Sequence, residues 1–342
     1  MRVLIVGEDA PGGLMASYAR GFTELGADVK TYCLARAYRE SVPSISSRAL
    51  RRLAERMLLS AFNARVEREL SSIDADLVLV LKGHRLNPVT VDRLREAAGA
   101  PVVNFYPDDP FSRERSNQLA YGPNVLAAYD ACFTFARHLV PAYERASVQA
   151  VHYLPFARDP DQHGPVTASS SLDFDVVFVG NLDESRVRCL EALAGRHRVG
   201  VFGERTHEAI GRGSPLARAT LGPPAYGAEL ARALARGAIS LNVMRPQNAH
   251  SHNMRSFESP ACGAFTLSQR TRELSELFAE GEEIVCFDTV EELCDAVDRT
   301  LRDSSLRARI ANAGFQRVRD DTYARRACTM LEAVGVAVGV VP

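Results

Sequence analysis

The chain has 342 residues, of which 46% are hydrophobic and 24% are charged, and its formal net charge is −1. This length suggests about two domains of roughly 150 residues each, and the composition is that of a globular protein with a full hydrophobic core. The near-zero charge excludes a protein dedicated to nucleic acid, because binding to a phosphate backbone needs a basic excess.

The cysteines and the apolar ends of the chain bear on its compartment. Seven cysteines are scattered without a Cys-x-x-Cys pair, which favours small buried residues in a reducing compartment over a disulfide framework or a zinc site. The apolar start, Met1–Val6, is too short for a signal-peptide core, and the tail 333–341 is too short to span a bilayer. We therefore expect a cytoplasmic protein.

In the first half of the chain, short apolar runs alternate with helical patterns, as in βαβ units around a parallel sheet. The predicted strands are 3–6, 28–33, 77–81, 102–105, 131–135 and 151–154. The predicted helices are 14–25, 50–70, 89–98 and 139–145. This half therefore predicts one parallel sheet with covering helices.

A second series of the same kind follows residues 159–171, whose Asp, Pro, Gly, Thr and Ser content is typical of a linker. Its predicted strands are 175–179, 198–202, 239–243, 264–267 and 284–287, and its helices are 186–193, 228–235, 272–279, 290–301 and 304–318. We therefore predict an α/β protein of two Rossmann-like, doubly wound domains, 1–165 and 172–320. Such domains are expected to face each other across a ligand cleft at their strand carboxyl ends.

The first strand is followed by a glycine-containing turn, Gly7-Glu8-Asp9-Ala10-Pro11-Gly12-Gly13. It is not the Gly-x-Gly-x-x-Gly dinucleotide fingerprint, because the spacing differs and Pro11 interrupts it. Two interpretations remain open for Gly12 and Gly13: a close approach of a ligand to the backbone, or an ordinary flexible turn.

Polar side chains stand at the carboxyl ends of two predicted strands in the first half. Asp108 and Asp109 follow strand 102–105, and His84 follows strand 77–81, so we expect all three to face the cleft. Simpler interpretations are also open. One of the two aspartates would form an Asx turn before Pro110, and His84 would be an isolated histidine without a chemical role.

Helix 48–70 combines an apolar face with a largely opposite row of arginines, interrupted by glutamates. A basic amphipathic helix of this kind would suit contact with an anionic membrane or a lipid-linked acceptor. The favoured interpretation is a surface helix that packs its apolar face on the core.

The stretch Asn253–Phe265 places an arginine and a carboxylate three residues apart, Arg255 and Glu258, where a polar loop enters a helix rich in small residues. One interpretation is a surface ion pair at helical spacing. The other is a site for a sugar nucleotide, in which the cation meets a diphosphate and the carboxylate accepts from ribose hydroxyls.

Motifs along most of the chain decide between these interpretations. They are Asn104-Phe105-Tyr106-Pro107-Asp108-Asp109-Pro110, Cys132-Phe133-Thr134, Tyr153-Leu154-Pro155-Phe156-Ala157, Asp175-Val176-Val177-Phe178-Val179-Gly180-Asn181 with Arg186, Tyr226-Gly227, Ser240-Leu241-Asn242, and Arg255-Ser256-Phe257-Glu258 followed by Gly263, Phe278, Gly281-Glu282-Glu283-Ile284 and Glu291-Glu292-Leu293. In order and separation the set resembles CgeB-like (spore-maturation-type) glycosyltransferases, which have the GT-B fold of two Rossmann-like domains.

The resemblance implies transfer of a sugar from a nucleotide-sugar donor to an acceptor hydroxyl of a glycan, a protein or a small molecule. Related retaining enzymes carry two glutamates with seven residues between them, and Glu258 matches the second, which is expected to hold the ribose. The first position is His250 in this chain, so the role of that glutamate is left to His250, His252, Asn253 or Arg255. Retention is favoured, with inversion still open.

The resemblance also implies roles for other residues. Arg255 is the first candidate for the departing diphosphate, and Arg186 is the second unless it is a solvated helix residue. Gly180 and Asn181, in the first loop of the second domain, are expected to approach the donor, as are Asn253, Gly12 and Gly13. An ordinary tight turn is the alternative interpretation of Gly180. Asp108, Asp109 or His84 would orient the acceptor hydroxyl or, in an inverting enzyme, act as the base. Residues 321–342 are expected to return to the first domain as a helix and tail.

No metal and no cofactor is predicted, the nucleotide sugar being a substrate. The Asp-x-Asp sequences at 159–161 and 173–175 spell a metal-binding motif of a different glycosyltransferase fold, but the first lies in the predicted linker and the second at the entry to a predicted strand. Two alternatives stay open: a nucleotide-sugar epimerase or phosphorylase-like enzyme, and a non-catalytic sugar-nucleotide-binding protein. An NAD-dependent oxidoreductase is disfavoured, because the dinucleotide fingerprint is absent.

Overall fold

The structure, a computed structural model, describes residues 1–42, 48–166, 172–204, 206–211 and 213–337, with side chains of the helix that begins at residue 48 described from residue 54. The chain forms two compact units, one of Met1–Pro155 with Tyr323–Pro342 and one of Phe156–Thr322. The boundary lies after Pro155, whereas residue 165 was predicted. Of the predicted linker, residues 167–171 lie outside the described residues, and the part before them belongs to the second unit.

The first unit contains a six-stranded, all-parallel sheet in the order β2-β1-β3-β4-β5-β6. Its strands are β1 (Arg2–Gly7), β2 (Asp28–Cys33), β3 (Leu77–Leu81), β4 (Val102–Tyr106), β5 (Ala131–Thr134) and β6 (Val151–Tyr153). All five residues of β3 and of β4 are buried, as expected for strands covered on both faces. Every strand predicted in this half is confirmed.

The second unit contains another all-parallel sheet, in the order β12-β11-β10-β7-β8-β9. Its strands are β7 (Phe174–Val179), β8 (Val199–Phe202), β9 (Thr220–Gly222), β10 (Gly237–Asn242), β11 (Thr266–Gln269) and β12 (Val285–Phe287). The five predicted strands are confirmed. The edge strand β9 was not predicted, because three residues do not form a recognisable apolar run.

The helices lie between the strands of both units. They are α1 (Leu14–Glu24), α2 (Leu34–Ser41), α3 (Arg48–Glu69), α4 (Pro88–Ala98), α5 (Val140–Arg145), α6 (Glu184–Ala194), α7 (Thr206–Ala209), α8 (Gly227–Leu234), α9 (Arg255–Ala261), α10 (Arg272–Leu277), α11 (Val290–Arg302), α12 (Ser304–Arg317) and α13 (Tyr323–Ala333). Short 3-10 helices occur at Pro123–Ala128, Arg137–Leu139, Pro215–Arg218 and Pro246–Asn248.

The C-terminal helix α13 packs against α1 in the first unit. The rings of Tyr18 and Tyr323 meet edge to face with centroids 5.0 Å apart. Gly21 permits this approach, since a Cβ at that position would lie 2.6 Å from the carbonyl carbon of Tyr323. The predicted return of the chain end to the first domain therefore has its counterpart in α13, and residues 338–342 lie outside the described part.

Helix α3 contacts helices α2 and α4 of the first unit, and Leu58, Phe62 and Val66 on its apolar face are buried. Arg65 pairs with Glu40 and Glu69, which leaves less of its charge for an external anion. The arginines at 48, 51 and 52 lie outside the described side chains. Within the ranges described, no helix has both the length and the apolar character needed to cross a membrane.

Candidate functional site

The second sheet reverses its strand order between β7 and β10, and in doubly wound sheets a ligand binds beyond the carboxyl ends of the strands at such a point. Arg186, near the start of α6, joins these two strand ends. Its Nε and Nη2 donate to the carbonyl oxygen of Val243 at 3.0 and 2.9 Å, and its Nη1 donates to that of Asn181 at 2.8 Å. The guanidinium thus holds together the loops that follow β7 and β10.

Arg186 is buried, which excludes the interpretation of a solvated helix residue. Burial lowers the pKa of Arg186 to about 10, Asp183 opposes this shift, and the charges of Arg245 and Arg255 add to it. Arg245 and Arg255 therefore both lie close enough to Arg186 for their charges to act on it. Because Arg186 is engaged with backbone carbonyls, the structure favours a positioning role for it, and a direct donor contact stays a prediction.

The loop after β7 is tightly packed against the loop after β8. The backbones of Gly180 and Gly203 approach so closely that a Cβ at Gly203 would lie 2.3 Å from the carbonyl oxygen of Gly180. The side-chain oxygen of Asn181 accepts from the backbone N–H of Glu204 at 3.1 Å. These contacts give Gly180 and Asn181 a structural role, and their contact with a donor stays a prediction.

Asn253 links the start of α9 to strand β10. Its Nδ2 donates to Oδ1 of Asn242 at 2.8 Å, and its Oδ1 accepts from the backbone N–H of Ser256 at 3.1 Å. The side chain therefore satisfies one of the N–H groups that a helix start leaves without an intrahelical partner. Asn253 sets the position of α9 and, through it, that of Arg255 and Glu258.

Arg255 and Glu258 form a buried ion pair on α9. Nη1 of Arg255 donates to Oε2 of Glu258 at 2.6 Å, and the side chains are 18% and 5% exposed. Within the described part of the chain, Nε of Arg255 is buried without a hydrogen-bond partner. A buried N–H without a partner is uncommon in a native protein and calls for an explanation such as a ligand.

A third side chain, His163, completes this cluster and was not predicted. It lies on the segment before β7, is 4% exposed, and its Nε2 stands 3.7 Å from Oε1 of Glu258. Sequence reasoning assigned residues 159–171 to a linker, but a tight turn from Asp159 brings His163 against α9. The signal was weak: a single histidine in a segment rich in Asp and Pro.

The two histidines before α9 have different surroundings. His250 is exposed on the loop before α9. His252 is fully buried, accepts from the backbone N–H of Phe156 at 3.1 Å, and contacts the ring of Phe257. His252 is thus a core residue that anchors the start of the second unit, while a role for His250 toward the donor stays a prediction.

The first sheet reverses its order between β1 and β3. Beyond β1, Gly12 has a φ of 62°, a left-handed conformation suited to glycine, and Gly13 caps the start of α1. A Cβ at Gly13 would lie 2.8 Å from the carbonyl oxygen of Ala10. The turn geometry alone therefore accounts for both glycines.

Beyond β3 and β4, a lysine pairs with one of the two predicted aspartates. Nζ of Lys82 donates to Oδ2 of Asp108 at 2.8 Å, both side chains being 22% exposed. Oδ1 of Asp109 accepts from the backbone N–H of Phe111 at 2.9 Å, which is the Asx turn considered for one of the pair. Asp108 is therefore the aspartate of the two that is paired with a cation, and its contact with a substrate stays a prediction.

His84 lies beside this pair on the loop after β3 and is half-buried. Burial lowers the pKa of His84 to about 3, and the charges of Arg85 and Lys82 act in the same direction. The imidazole is therefore neutral near pH 7 and only weakly basic, and a catalytic role for His84 stays a prediction.

The two Asp-x-Asp sequences are occupied with structural contacts. Asp175 pairs with Arg198 at 2.8 Å, and Asp173 pairs with Arg236 at 2.7 Å. Asp159 is buried and its carboxylate accepts from the backbone N–H of Asp161. Across the described ranges, no group of three His, Cys, Asp or Glu side chains is arranged to hold a metal ion.

Comparison with known families gives a match in the second half of the chain. Residues 186–332 match the family described as glycosyl transferase-like. The matched range, which is less than half of the chain, includes Arg186, Asn253, Arg255 and Glu258. No curated protein matches the chain in sequence. The CgeB-like subtype is a finer assignment than this match provides.

Comparison with solved structures covers nearly the whole chain. HepE of Anabaena in complex with UDP-glucose has a TM-score of 0.68 at 13% identity, over 98% of this chain and 99% of HepE. Sucrose-phosphate synthase of Thermosynechococcus elongatus has a TM-score of 0.68 at 14% identity, over 97% of each chain. A DNA-modifying β-glucosyltransferase has a TM-score of 0.62 at 11% identity, over 98% and 100%. At these identities the likeness concerns the fold: the chain has the GT-B glycosyltransferase fold, and its residues 186–332 carry the features of the glycosyl transferase-like family.

Proposed function

We propose that the protein is a glycosyltransferase that moves a sugar, of the hexose type, from a nucleoside-diphosphate sugar to an acceptor hydroxyl. The buried Arg255–Glu258 pair beside the strand-order reversal of the second sheet is the observation that carries this proposal. Structures of the same fold hold UDP or UDP-glucose, which supports a donor of that class. The acceptor, a glycan, a protein or a small molecule, is left open.

Charged side chains of the second unit suit both the diphosphate and the ribose of such a donor. Arg255 keeps a buried Nε–H without a described hydrogen-bond partner, and Arg245 lies close enough to Arg186 to lower its pKa, as Arg255 does. Both cations are suited to a diphosphate, while the carboxylate of Glu258 is suited to accept from ribose hydroxyls. As the bond between sugar and diphosphate breaks, negative charge grows on the diphosphate, and fixed cations there stabilise the transition state.

In the first unit, Asp108 is our candidate for orienting the acceptor hydroxyl. Its carboxylate stands at the carboxyl end of β4 and is paired with Lys82, which fixes its position. We propose that the transfer proceeds with retention and without a metal ion. The guanidinium groups of Arg245 and Arg255 would supply the positive charge that a divalent cation supplies in other phosphate chemistry.

A nucleotide-sugar panel tests the proposal. The protein is incubated with UDP-, GDP- and ADP-hexoses, binding is measured by calorimetry, and free nucleoside diphosphate is followed with and without candidate acceptors. We expect one donor to bind and to be cleaved, and Glu258→Gln to weaken binding of that donor by at least tenfold, since a hydrogen bond to a charged group contributes about 1.5–3 kcal/mol.

Helix α8 offers a matched control. Glu229 and Arg232 form an Arg–Glu pair with the same three-residue separation, but their side chains are 69% and 56% exposed. Glu229→Gln should leave donor binding unchanged. If Glu258→Gln behaves like Glu229→Gln, the assignment of the donor site is wrong. A donor that binds without being cleaved would support the non-catalytic alternative, and if no donor binds, the glycosyltransferase proposal fails.

A further inference from the structure

His163 is held rigidly by a turn of its own segment. Its backbone N–H donates to the carbonyl oxygen of Asp159 at 2.7 Å, and its side-chain Nδ1 accepts from the backbone N–H of Asp159 at 3.1 Å. Both residues are buried, at 4% and 1% exposure. Two reciprocal hydrogen bonds between residues four apart therefore fix the backbone and the imidazole ring together.

These contacts define which ring nitrogen carries the proton. Since Nδ1 accepts a hydrogen bond, the proton of the neutral ring is on Nε2. Burial lowers the pKa of His163, the charges of Glu258 and Asp159 oppose this, and Arg255 and Arg158 add to it. The ring therefore presents an uncharged Nε2–H toward Glu258 near neutral pH.

The two oxygens of Glu258 have different neighbours. Oε2 accepts from Arg255 at 2.6 Å, whereas Oε1 faces Nε2 of His163 at 3.7 Å. The second separation is beyond a hydrogen bond, and a small rotation of the carboxylate would close it. An ionised carboxylate has about four acceptor sites, so Arg255 and His163 would use two and leave two for a pair of hydroxyls.

We propose that His163 is a positioning residue that, through its Nε2–H, orients Glu258 so that the carboxylate accepts from both hydroxyls of a ribose. This inference rests on the proposed function, because it assumes that a nucleotide binds at Glu258. His163 would act through Glu258 and would not itself touch the nucleotide. It therefore affects the preference for a ribose diol more than the affinity for a diphosphate.

Two amide variants of His163 distinguish the role of Nδ1 as an acceptor from the role of Nε2 as a donor. His163→Asn keeps an acceptor near the position of Nδ1 and loses the donor toward Glu258. His163→Gln places an amide N–H near the position of Nε2 and loses the acceptor for Asp159. The ligands are whichever of UDP, GDP and ADP binds most tightly, and the 2′,3′-dideoxy form of that nucleotide. Affinities are measured by calorimetry, and thermal unfolding is recorded for every variant.

The wild type should prefer the ribonucleotide over its dideoxy form, and Glu258→Gln should remove that preference. We expect His163→Asn to bind the ribonucleotide about tenfold more weakly, as for the loss of one hydrogen bond to a charged group, with less than about a twofold change for the dideoxy form. His163→Gln should keep most of the preference. If His163→Asn fails to fold, His163→Gln tests the proposal, because it should still prefer the ribonucleotide over the dideoxy form.

Three results would overturn the inference while leaving the proposed function in place. The first is retention of the full ribonucleotide preference by His163→Asn, and the second is equal weakening of both ligands by that variant. The third is a loss of the preference in folded His163→Gln as complete as in His163→Asn. In each case the loss of preference in Glu258→Gln still identifies the nucleotide site. If none of the three diphosphates binds the wild type, the proposed function fails, and this inference fails with it.

Discussion

Replacing Arg255 with methionine should destabilise the second unit strongly, because it leaves the carboxylate of Glu258 buried without its cation. Glu258 is 5% exposed and its ion pair with Arg255 is 2.6 Å long. Breaking a buried pair from one side costs about 3–5 kcal/mol, and the 18% exposure of Arg255 places this case near the lower end, at about 3 kcal/mol. For a unit of this size, roughly 2–4 °C per kcal/mol converts this cost to a loss of about 6–12 °C in Tm.

Two further variants make the test specific. Arg232→Met removes the cation of the exposed pair on α8 and should leave Tm nearly unchanged, because an exposed ion pair contributes little to stability. Arg255→Met combined with Glu258→Gln should recover most of the lost stability, because the unpaired buried charge is gone. Calorimetric unfolding without nucleotide measures all four proteins. Equal Tm values for Arg255→Met and Arg232→Met, or no recovery in the double variant, would refute the reasoning.

Three further predictions follow from the geometry. Gly21→Val should destabilise the first unit by about 1–3 kcal/mol or more, because its side chain would overlap with the backbone of Tyr323 on α13. Gly195→Ala is the control, since a Cβ at Gly195 would lie in open space, and it should leave stability nearly unchanged. Unfolding of both variants in urea measures the difference. His84 binds no proton in the folded chain above about pH 4, whereas in the unfolded chain it binds one below about pH 6.5. The free energy of unfolding should therefore fall on acidification from pH 7.5 to 5, by at most about 2 kcal/mol more in the wild type than in His84→Gln. Equal losses in the two proteins would contradict the burial of the neutral ring. A chelator should leave release of nucleoside diphosphate unchanged if the arginines supply the positive charge, and loss of activity restored by added Mg²⁺ or Mn²⁺ would contradict metal independence.

The strands could be predicted because of the way parallel sheets are buried. A strand covered on both faces is apolar throughout, as in Leu77–Leu81, and such runs are recognisable without further information. Helix α2 was not predicted, because Leu34 continues directly from strand β2 without a turn residue. The short edge strand Thr220–Gly222 has no buried residue, so its sequence contains no apolar run that would predict a strand.

The candidate site was predicted only in part, because its members meet through tertiary packing. Arg255 and Glu258 are local to one helix, so their pairing could be foreseen from spacing. The approach of His163 to Glu258 spans 95 positions and depends on the turn at Asp159. The pairing of Lys82 with Asp108 depends on β3 and β4 being neighbours in the sheet, which a linear pattern does not reveal.

The two Arg–Glu pairs of the second unit explain why spacing alone was ambiguous and what resolves the ambiguity. Helix α8 has buried positions beside exposed ones, and Glu229 and Arg232 lie on its exposed side. In α9, by contrast, every residue from Ser256 to Ala261 is buried, so the helix has no solvent-facing stripe on which an ordinary surface pair would lie. A charged pair in such a helix costs desolvation free energy that an apolar pair would avoid. The sequence contains this distinction, because Glu258 is flanked by serine, phenylalanine, proline and alanine alone. A ligand would explain a charged pair in this setting, and for that reason we propose that the donor nucleotide binds at Glu258 and Arg255 and not at Glu229 and Arg232.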